Sequence, residues 1–165
     1  MEDILQTTIL LLGVALFAIA AYGDIKTRQI PNLLVASVAI LGVLRLIVIG
    51  DLNAAIQTVT ASVIVLIVVF LLFWRNFVGG GDAKLIAAAA LLVGSHNLLN
   101  FLVLMSLCGL FVTIVVLVTQ RSSVVVPSVP SDEKPLPKSR LAIPYGVAIA
   151  GGGIVTLLFQ PTLLG

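Results

Sequence analysis

The sequence is poor in charged residues. Asp, Glu, Lys and Arg make up 10% of its 165 residues, and hydrophobic residues make up 60%. Soluble domains contain about 25% charged and about 45–50% apolar residues. The composition therefore excludes a soluble domain, and we interpret residues 1–165 as one integral membrane domain. The formal net charge of +2 is too small and too dispersed to indicate nucleic-acid binding.

Residues for disulfide and metal chemistry are also scarce. The chain contains one cysteine, Cys108, and one histidine, His96. A single cysteine excludes an internal disulfide and a cysteine-built zinc site. We expect Cys108 to be a small packing residue and His96 a turn residue at the membrane interface, and we expect no metal and no cofactor.

Long apolar runs are abundant instead, and they predict an all-α bundle of six transmembrane helices. A helix needs about 20 mostly apolar residues to cross the hydrocarbon layer. The fourth run is shorter than that and is the least regular of the six. The runs occupy residues 4–22, 33–49, 54–74, 83–94, 98–119 and 142–159.

The placement of charge supports six crossings. If every run crosses, eight basic residues fall on one side, and the other side holds acidic residues together with Arg45 near the end of the second run. The positive-inside rule then places both termini outside the cell and the basic connections in the cytoplasm. The proline-rich residues 120–140 are interpreted as a mobile cytoplasmic loop. The eight basic residues are Lys26, Arg28, Arg75, Lys84, Arg121, Lys134, Lys138 and Arg140.

Two aspartates lie at the cytoplasmic edge of this arrangement. Asp24 follows the first run and Asp82 precedes the fourth. Two carboxyl groups brought close together share one proton, so that one serves as general base and the other as general acid. This is the chemistry of aspartic proteases. The alternative from the residues alone is that each aspartate is a solvated flank or a helix cap.

The segment GGGDAK (79–84) adds three glycines beside the second acid. Gly79, Gly80 and Gly81 carry no Cβ, so we expect irregular backbone there that a substrate strand or the other helix can approach closely. The helix ends also predict which acid holds the proton. Asp24 lies near a helix C-terminus, where an anion is disfavoured, and Asp82 near a helix N-terminus, where it is favoured; Asp24 is therefore the expected neutral partner.

Together the two segments resemble the prepilin peptidase family, the type IV leader peptidases with a G-x-G-D motif. DIKTRQIPN (24–32) matches the pattern D-x-[KR]-x-x-x-I-P-N, and GGGDAK matches G-x-G-D-x-K. The late segment IPYGVAIA (143–150) is similar to the last span of that family.

The resemblance implies an aspartic endopeptidase of the prokaryotic plasma membrane. Such an enzyme removes the basic leader from prepilin-like, single-span precursors at the cytoplasmic face. It implies Asp24 and Asp82 as the catalytic pair and residues 79–81 as a loop of the substrate site. For Lys26 and Lys84 two roles stay open, orienting the acids or facing lipid headgroups and the cytoplasm.

The chain is similar to the compact members associated with Flp/Tad pili. Larger members carry an N-terminal insertion with paired cysteines and also methylate the product, so we expect peptidase activity without methyltransferase activity. The expected partners are the precursor and membrane lipids, with the oligomeric state open. An archaeal-type preflagellin peptidase, a small proton- or cation-coupled transporter and a structural subunit remain alternatives, although few polar residues lie within the spans to support transport.

Overall fold

The computed structural model describes residues 2–27, 29–121 and 145–160, and in these ranges all regular structure is helical. This confirms the predicted all-α class. The helices are α1 Glu2–Thr27, α2 Asn32–Ile49, α3 Leu52–Trp74, α4 Gly80–Val93, α5 Leu98–Arg121 and α6 Tyr145–Leu158, with one 3₁₀ turn, Ser95–Asn97, before α5.

Four of the described segments are long and apolar enough to cross a membrane: Ile4–Thr27, Asn32–Ile49, Leu52–Trp74 and Ser95–Thr119. Helices α4 and α6 have 14 residues each in the described part of the chain. At 1.5 Å per residue each is about 21 Å long, short of a hydrocarbon layer of about 30 Å. Crossing by these two helices therefore stays a prediction.

Two helix boundaries differ from the apolar runs in a way that matters for the acids. Helix α1 continues to Thr27, five residues past the predicted end, so Asp24 lies inside the helix rather than after it. Helix α4 begins at Gly80, so Asp82 lies in its first turn rather than before it. Hydropathy marks where a chain leaves an apolar environment, and a helix continues until its backbone hydrogen bonds stop.

Helix α4 forms the centre of the structure. It packs against α2, α3 and α6, and most of its side chains are buried, among them Ala89, Leu92 and Val93 at 0% exposure. Helix α5 packs chiefly on α6 and buries Phe101. The outward side chains of α3 and α5 are largely apolar, as expected for surfaces that face lipid.

Glycine contacts show how closely the helices approach. Between α1 and α6, a Cβ at Gly153 would lie 2.7 Å from the Phe17 ring. Between α2 and α4, a Cβ at Gly42 would lie 3.0 Å from the backbone nitrogen of Leu92. The first contact packs the middle of α1 against the middle of α6, and the second brings the C-terminal ends of α2 and α4 together.

The predicted cytoplasmic loop is only partly covered. Helix α5 extends through residues 120 and 121, so the loop begins later than predicted. Residues 122–144, which include the rest of that loop and the first three residues of the sixth apolar run, lie outside the described residues, as do Arg28 and residues 161–165.

Candidate active site

Asp24 is buried between α1 and the start of α6. Its side chain is 5% exposed, and its Oδ2 accepts a hydrogen bond of 3.2 Å from the backbone N–H of Val147. Val147 lies in the first turn of α6, where backbone N–H groups have no partner within the helix. The positive end of the α6 dipole therefore faces the Asp24 carboxyl group.

Gly146 makes this contact possible. A Cβ at that position would lie 2.8 Å from both Cγ and Oδ2 of Asp24, closer than real Cβ atoms come. Sequence analysis singled out the segment 143–150 only for its resemblance and assigned no role to Gly146 or Val147. No periodicity or spacing signal could have revealed the contact, since the two residues lie more than 120 positions from Asp24.

Asp82 lies half-buried in the first turn of α4, outside the four segments long enough to cross a membrane. Burial raises the pKa of Asp82, and the negative charge of Asp24 raises it further, to about 6. The electrostatic effect of one carboxyl group on the other shows that α1 and α4 bring the two acids to the same end of the bundle. The structure thus joins the two aspartates that the sequence singled out.

The position of the proton differs from the expectation. The raised pKa lets Asp82 hold its proton to a higher pH than an ordinary aspartate does, whereas the helix-end argument assigned the proton to Asp24. The helix-end argument left out α6, because Asp24 lies near the C-terminal end of α1 but also faces the N-terminal end of α6. Asp82 lies in the first turn of α4, and Asp24 accepts a hydrogen bond from the Val147 N–H in the first turn of α6. No sequence pattern indicated that α6 packs beside Asp24.

The three glycines serve close packing rather than unusual backbone. Gly79 has φ −69° and ψ 146°, which any residue adopts, and Gly80 and Gly81 are helical; the expected irregular backbone was wrong. A Cβ at Gly80 would lie 3.1 Å from the Phe73 ring, and one at Gly81 3.4 Å from Cβ of Ile30. A Cβ at Gly79 would lie 2.9 Å from Oδ2 of Asp82. Their part in a substrate site stays a prediction.

The two lysines have partners other than the acids. Nζ of Lys26 lies 5.9 Å from the centroid of the Tyr22 ring. Nζ of Lys84 donates a hydrogen bond of 3.2 Å to Oδ1 of Asn32. Lys84 and Asn32 are the last residues of the two sequence motifs, so this bond and the contact of Gly81 with Ile30 join the motifs directly. An orienting role for either lysine stays a prediction.

Comparison with known proteins identifies one related family. The family model described as the type IV leader peptidase family matches residues 11–114, which is more than half of the chain. The matched range contains both motifs with Asp24 and Asp82 and ends before Gly146. Neither the curated proteins nor the solved structures show a significant match.

Proposed function

Because the chain belongs to the type IV leader peptidase family, we propose that it is an aspartic endopeptidase in which Asp24 and Asp82 form the catalytic pair. The observation that carries this proposal is the electrostatic coupling of the two acids. They belong to different helices, and they lie 58 positions apart in the sequence. Two carboxyl groups that influence each other's ionisation can divide the roles of general base and general acid, which allows peptide hydrolysis without a covalent intermediate.

In this mechanism Asp24 is the general base. Its carboxylate, stabilised by the Val147 N–H, takes a proton from a water molecule, whose oxygen attacks the scissile carbonyl carbon. Asp82 enters protonated, donates a hydrogen bond to the carbonyl oxygen, and supplies its proton to the leaving amine as the C–N bond breaks. The products are a carboxylic acid and an amine, and one further proton transfer between the two acids restores the starting state.

We propose a prepilin-like precursor as substrate, cut at the cytoplasmic face of the plasma membrane. The fold supports this through its charges. Lys26 and Lys84 lie at the same helix ends as the two acids, and Arg75 lies at the end of α3 from which the chain leads into α4, whereas Asp51 caps α3 at its other end. By the positive-inside rule the acid pair then faces the cytoplasm, with six crossings and both termini outside. A precursor with a basic leader and one apolar helix fits a site at that depth.

Co-expression with a tagged precursor tests the proposal. Asp24→Asn and Asp82→Asn should each reduce cleavage by at least about 10²–10⁴-fold, because each removes a proton-transfer group. Loss of the leader is read as a gel shift, and correct insertion is checked in the membrane fraction. A preflagellin-type precursor tested in parallel distinguishes that alternative substrate class.

Asp51→Asn is the matched control. The Asp51 side chain accepts a hydrogen bond of 2.9 Å from the N–H of Asn53 at the start of α3, and asparagine caps helices equally well. This variant should cleave at the wild-type rate. Wild-type cleavage by an inserted Asp24→Asn or Asp82→Asn variant would overturn the assignment of the pair.

A further inference from the structure

The end of α4 opposite Asp82 is held by two side chains from outside the helix. Nη1 of Arg45 donates to the carbonyl oxygens of Leu92, at 2.5 Å, and Val93, at 2.6 Å. Nη2 of Arg45 donates to Oε1 of Gln160 at 3.0 Å. The side-chain nitrogen of Gln160 in turn donates to the Val93 carbonyl at 3.2 Å. We call Arg45 and Gln160 the α4 clamp.

The clamp binds a helix end that water does not reach. Leu92 and Val93 are 0% exposed and Gln160 is 1% exposed. The last carbonyl groups of a helix have no partner within it and carry the negative end of the helix dipole. Because α4 is about 21 Å long, an α4 that starts at the inner surface ends below the outer one, where unpaired carbonyls are costly. A guanidinium group satisfies both their hydrogen bonds and their charge.

The neighbouring backbone is shaped around the guanidinium group. The approach of α2 to α4 at Gly42, one turn before Arg45, lets the arginine reach over the end of α4. Gly94 follows α4 with φ +87°, a conformation that side chains disfavour. A Cβ there would also lie 3.2 Å from Nη1 of Arg45.

Helix α6 connects the clamp to the acid pair. At its start, the Val147 N–H binds Asp24, and just after its end, Gln160 binds the last residue of α4. Asp24 is therefore attached to α6 directly, and Asp82 is attached to α6 through the length of α4. A shift of α4 along its axis by one residue moves Asp82 by about 1.5 Å relative to Asp24.

We propose that Arg45 and Gln160 are positioning residues, which fix the axial register of α4 against α6 and thereby the separation of Asp24 and Asp82. The effect on cleavage rests on the proposed function. The effect on the distance between α4 and α6 does not depend on that function. We therefore measure the distance and the cleavage in separate experiments.

Geometry is measured between spin labels at the inner ends of α4 and α6. Lys84 and Tyr145 are exposed, so Lys84→Cys and Tyr145→Cys in a Cys108→Ser background give two labelling sites and remove the one native thiol. Arg45→Leu and Gln160→Leu should each shift or broaden the distance distribution, and Arg45→Lys should keep it closer to that of the unaltered clamp. If Arg45→Leu fails to insert, Gln160→Leu, which leaves the charge in place, carries the test.

Thr156→Val is the matched control for the clamp. Thr156 is a buried polar residue of α6, 4% exposed, but its hydroxyl donates to Gly152 within the same helix. Its replacement should leave the distance distribution unchanged. An unchanged distribution in inserted Arg45→Leu and Gln160→Leu proteins would overturn the proposal.

Cleavage by the clamp variants, with native Lys84, Tyr145 and Cys108, supplies the second readout. A misplacement of about 1 Å can cost about 10²-fold in rate, so kcat should fall by that order while KM stays near the wild-type value. Arg45→Lys should recover part of the loss. If the distances shift but Asp24→Asn and Asp82→Asn retain cleavage, the clamp stands and the proposed function fails. If both acids are essential but the distances do not shift, the proposed role of Arg45 and Gln160 is wrong and the proposed function stands.

Discussion

Asp24 and Asp82 are identical side chains in different surroundings, and the surroundings decide their roles. Asp24 accepts a backbone hydrogen bond from the start of α6. Asp82 is partly buried beside a second acid, and both effects raise its pKa. In the proposed mechanism, the division of roles between base and acid therefore depends on the packing of α1, α4 and α6 rather than on residue type.

The pKa of Asp82 gives a prediction on pH. A carboxyl group with a pKa of about 6 stays protonated as the pH rises above the usual range for aspartate and loses its proton as the pH passes 6. Cleavage requires that proton, so kcat should fall as the pH rises through this range. Infrared spectra of protein with isotope-labelled aspartate should show the neutral-carboxyl band of Asp82 disappearing over the same interval.

The variant Asp24→Asn tests whether the charge of Asp24 contributes to the raised pKa of Asp82. It removes the negative charge and leaves the burial, so the pKa of Asp82 should fall but remain above its ordinary value. Asp51→Asn should leave it unchanged. A neutral-carboxyl band that belongs to Asp24 instead of Asp82 would contradict the assignment.

Gly146 gives a second prediction at this scale. Gly146→Ala should reduce cleavage as strongly as loss of an acid, because the added methyl group needs the space that the Asp24 carboxyl occupies. Gly23→Ala is the control, since Gly23 precedes Asp24 on α1 and a Cβ there meets nothing within 4 Å. Cleavage assays of the two variants, after both are shown to insert, test this prediction. Equal activity of Gly146→Ala and Gly23→Ala would show that Asp24 does not depend on the contact with α6.

At the scale of the helices, α4 carries Asp82 and is fixed by its neighbours along its whole length. Its start packs against α3 and the α1–α2 connection through Gly80 and Gly81. Its middle and end pack against α2 at Gly42, and its last carbonyls are bound by Arg45. The position of Asp82 is therefore a property of the packed helix rather than of a loop.

Gly42→Ala should weaken that packing. The added Cβ would lie 3.0–3.1 Å from backbone atoms of Leu91 and Leu92, and overpacking of this kind costs about 1–3 kcal/mol. Gly109→Ala, where the nearest atom is the Ala148 Cβ at 3.6 Å, should be neutral or stabilising because alanine favours helix by about 1 kcal/mol over glycine. Thermal unfolding in detergent compares the two; a Gly42→Ala protein as stable as Gly109→Ala would show that α2 and α4 are less tightly packed.

Two short motifs were enough to predict the pair of acids. Each motif lies at the edge of an apolar run and contains several other characteristic residues close to its aspartate. Arg45 had no explanation from sequence, since its partners Leu92 and Gln160 lie 47 and 115 positions away. The same holds for Gly146 and Val147. Contacts between helices distant in the chain depend on which faces pack together, and hydropathy alone does not encode that choice.

At the scale of the whole molecule, Lys26, Arg75 and Lys84 share one end of the helix bundle with the acid pair, and this arrangement predicts an orientation in the membrane. Single cysteines at Asn53, near the start of α3, and at Asn76, in the turn between α3 and α4, report on the two ends. In a Cys108→Ser background, a membrane-impermeant maleimide added to intact cells should label position 53 and not position 76. Permeabilised cells should label at both positions, and the reverse pattern in intact cells would place the acid pair outside.

Helices α1, α3 and α5 have 26, 23 and 24 residues, whereas α4 and the described part of α6 have 14 each and are largely buried. The surrounding acyl chains therefore meet mainly the long helices, which adapt to a thicker or thinner bilayer by tilting. The short inner helices are shielded from that adjustment. The spacing of the acid pair should then be insulated from changes in lipid chain length that alter how the protein as a whole sits in its membrane.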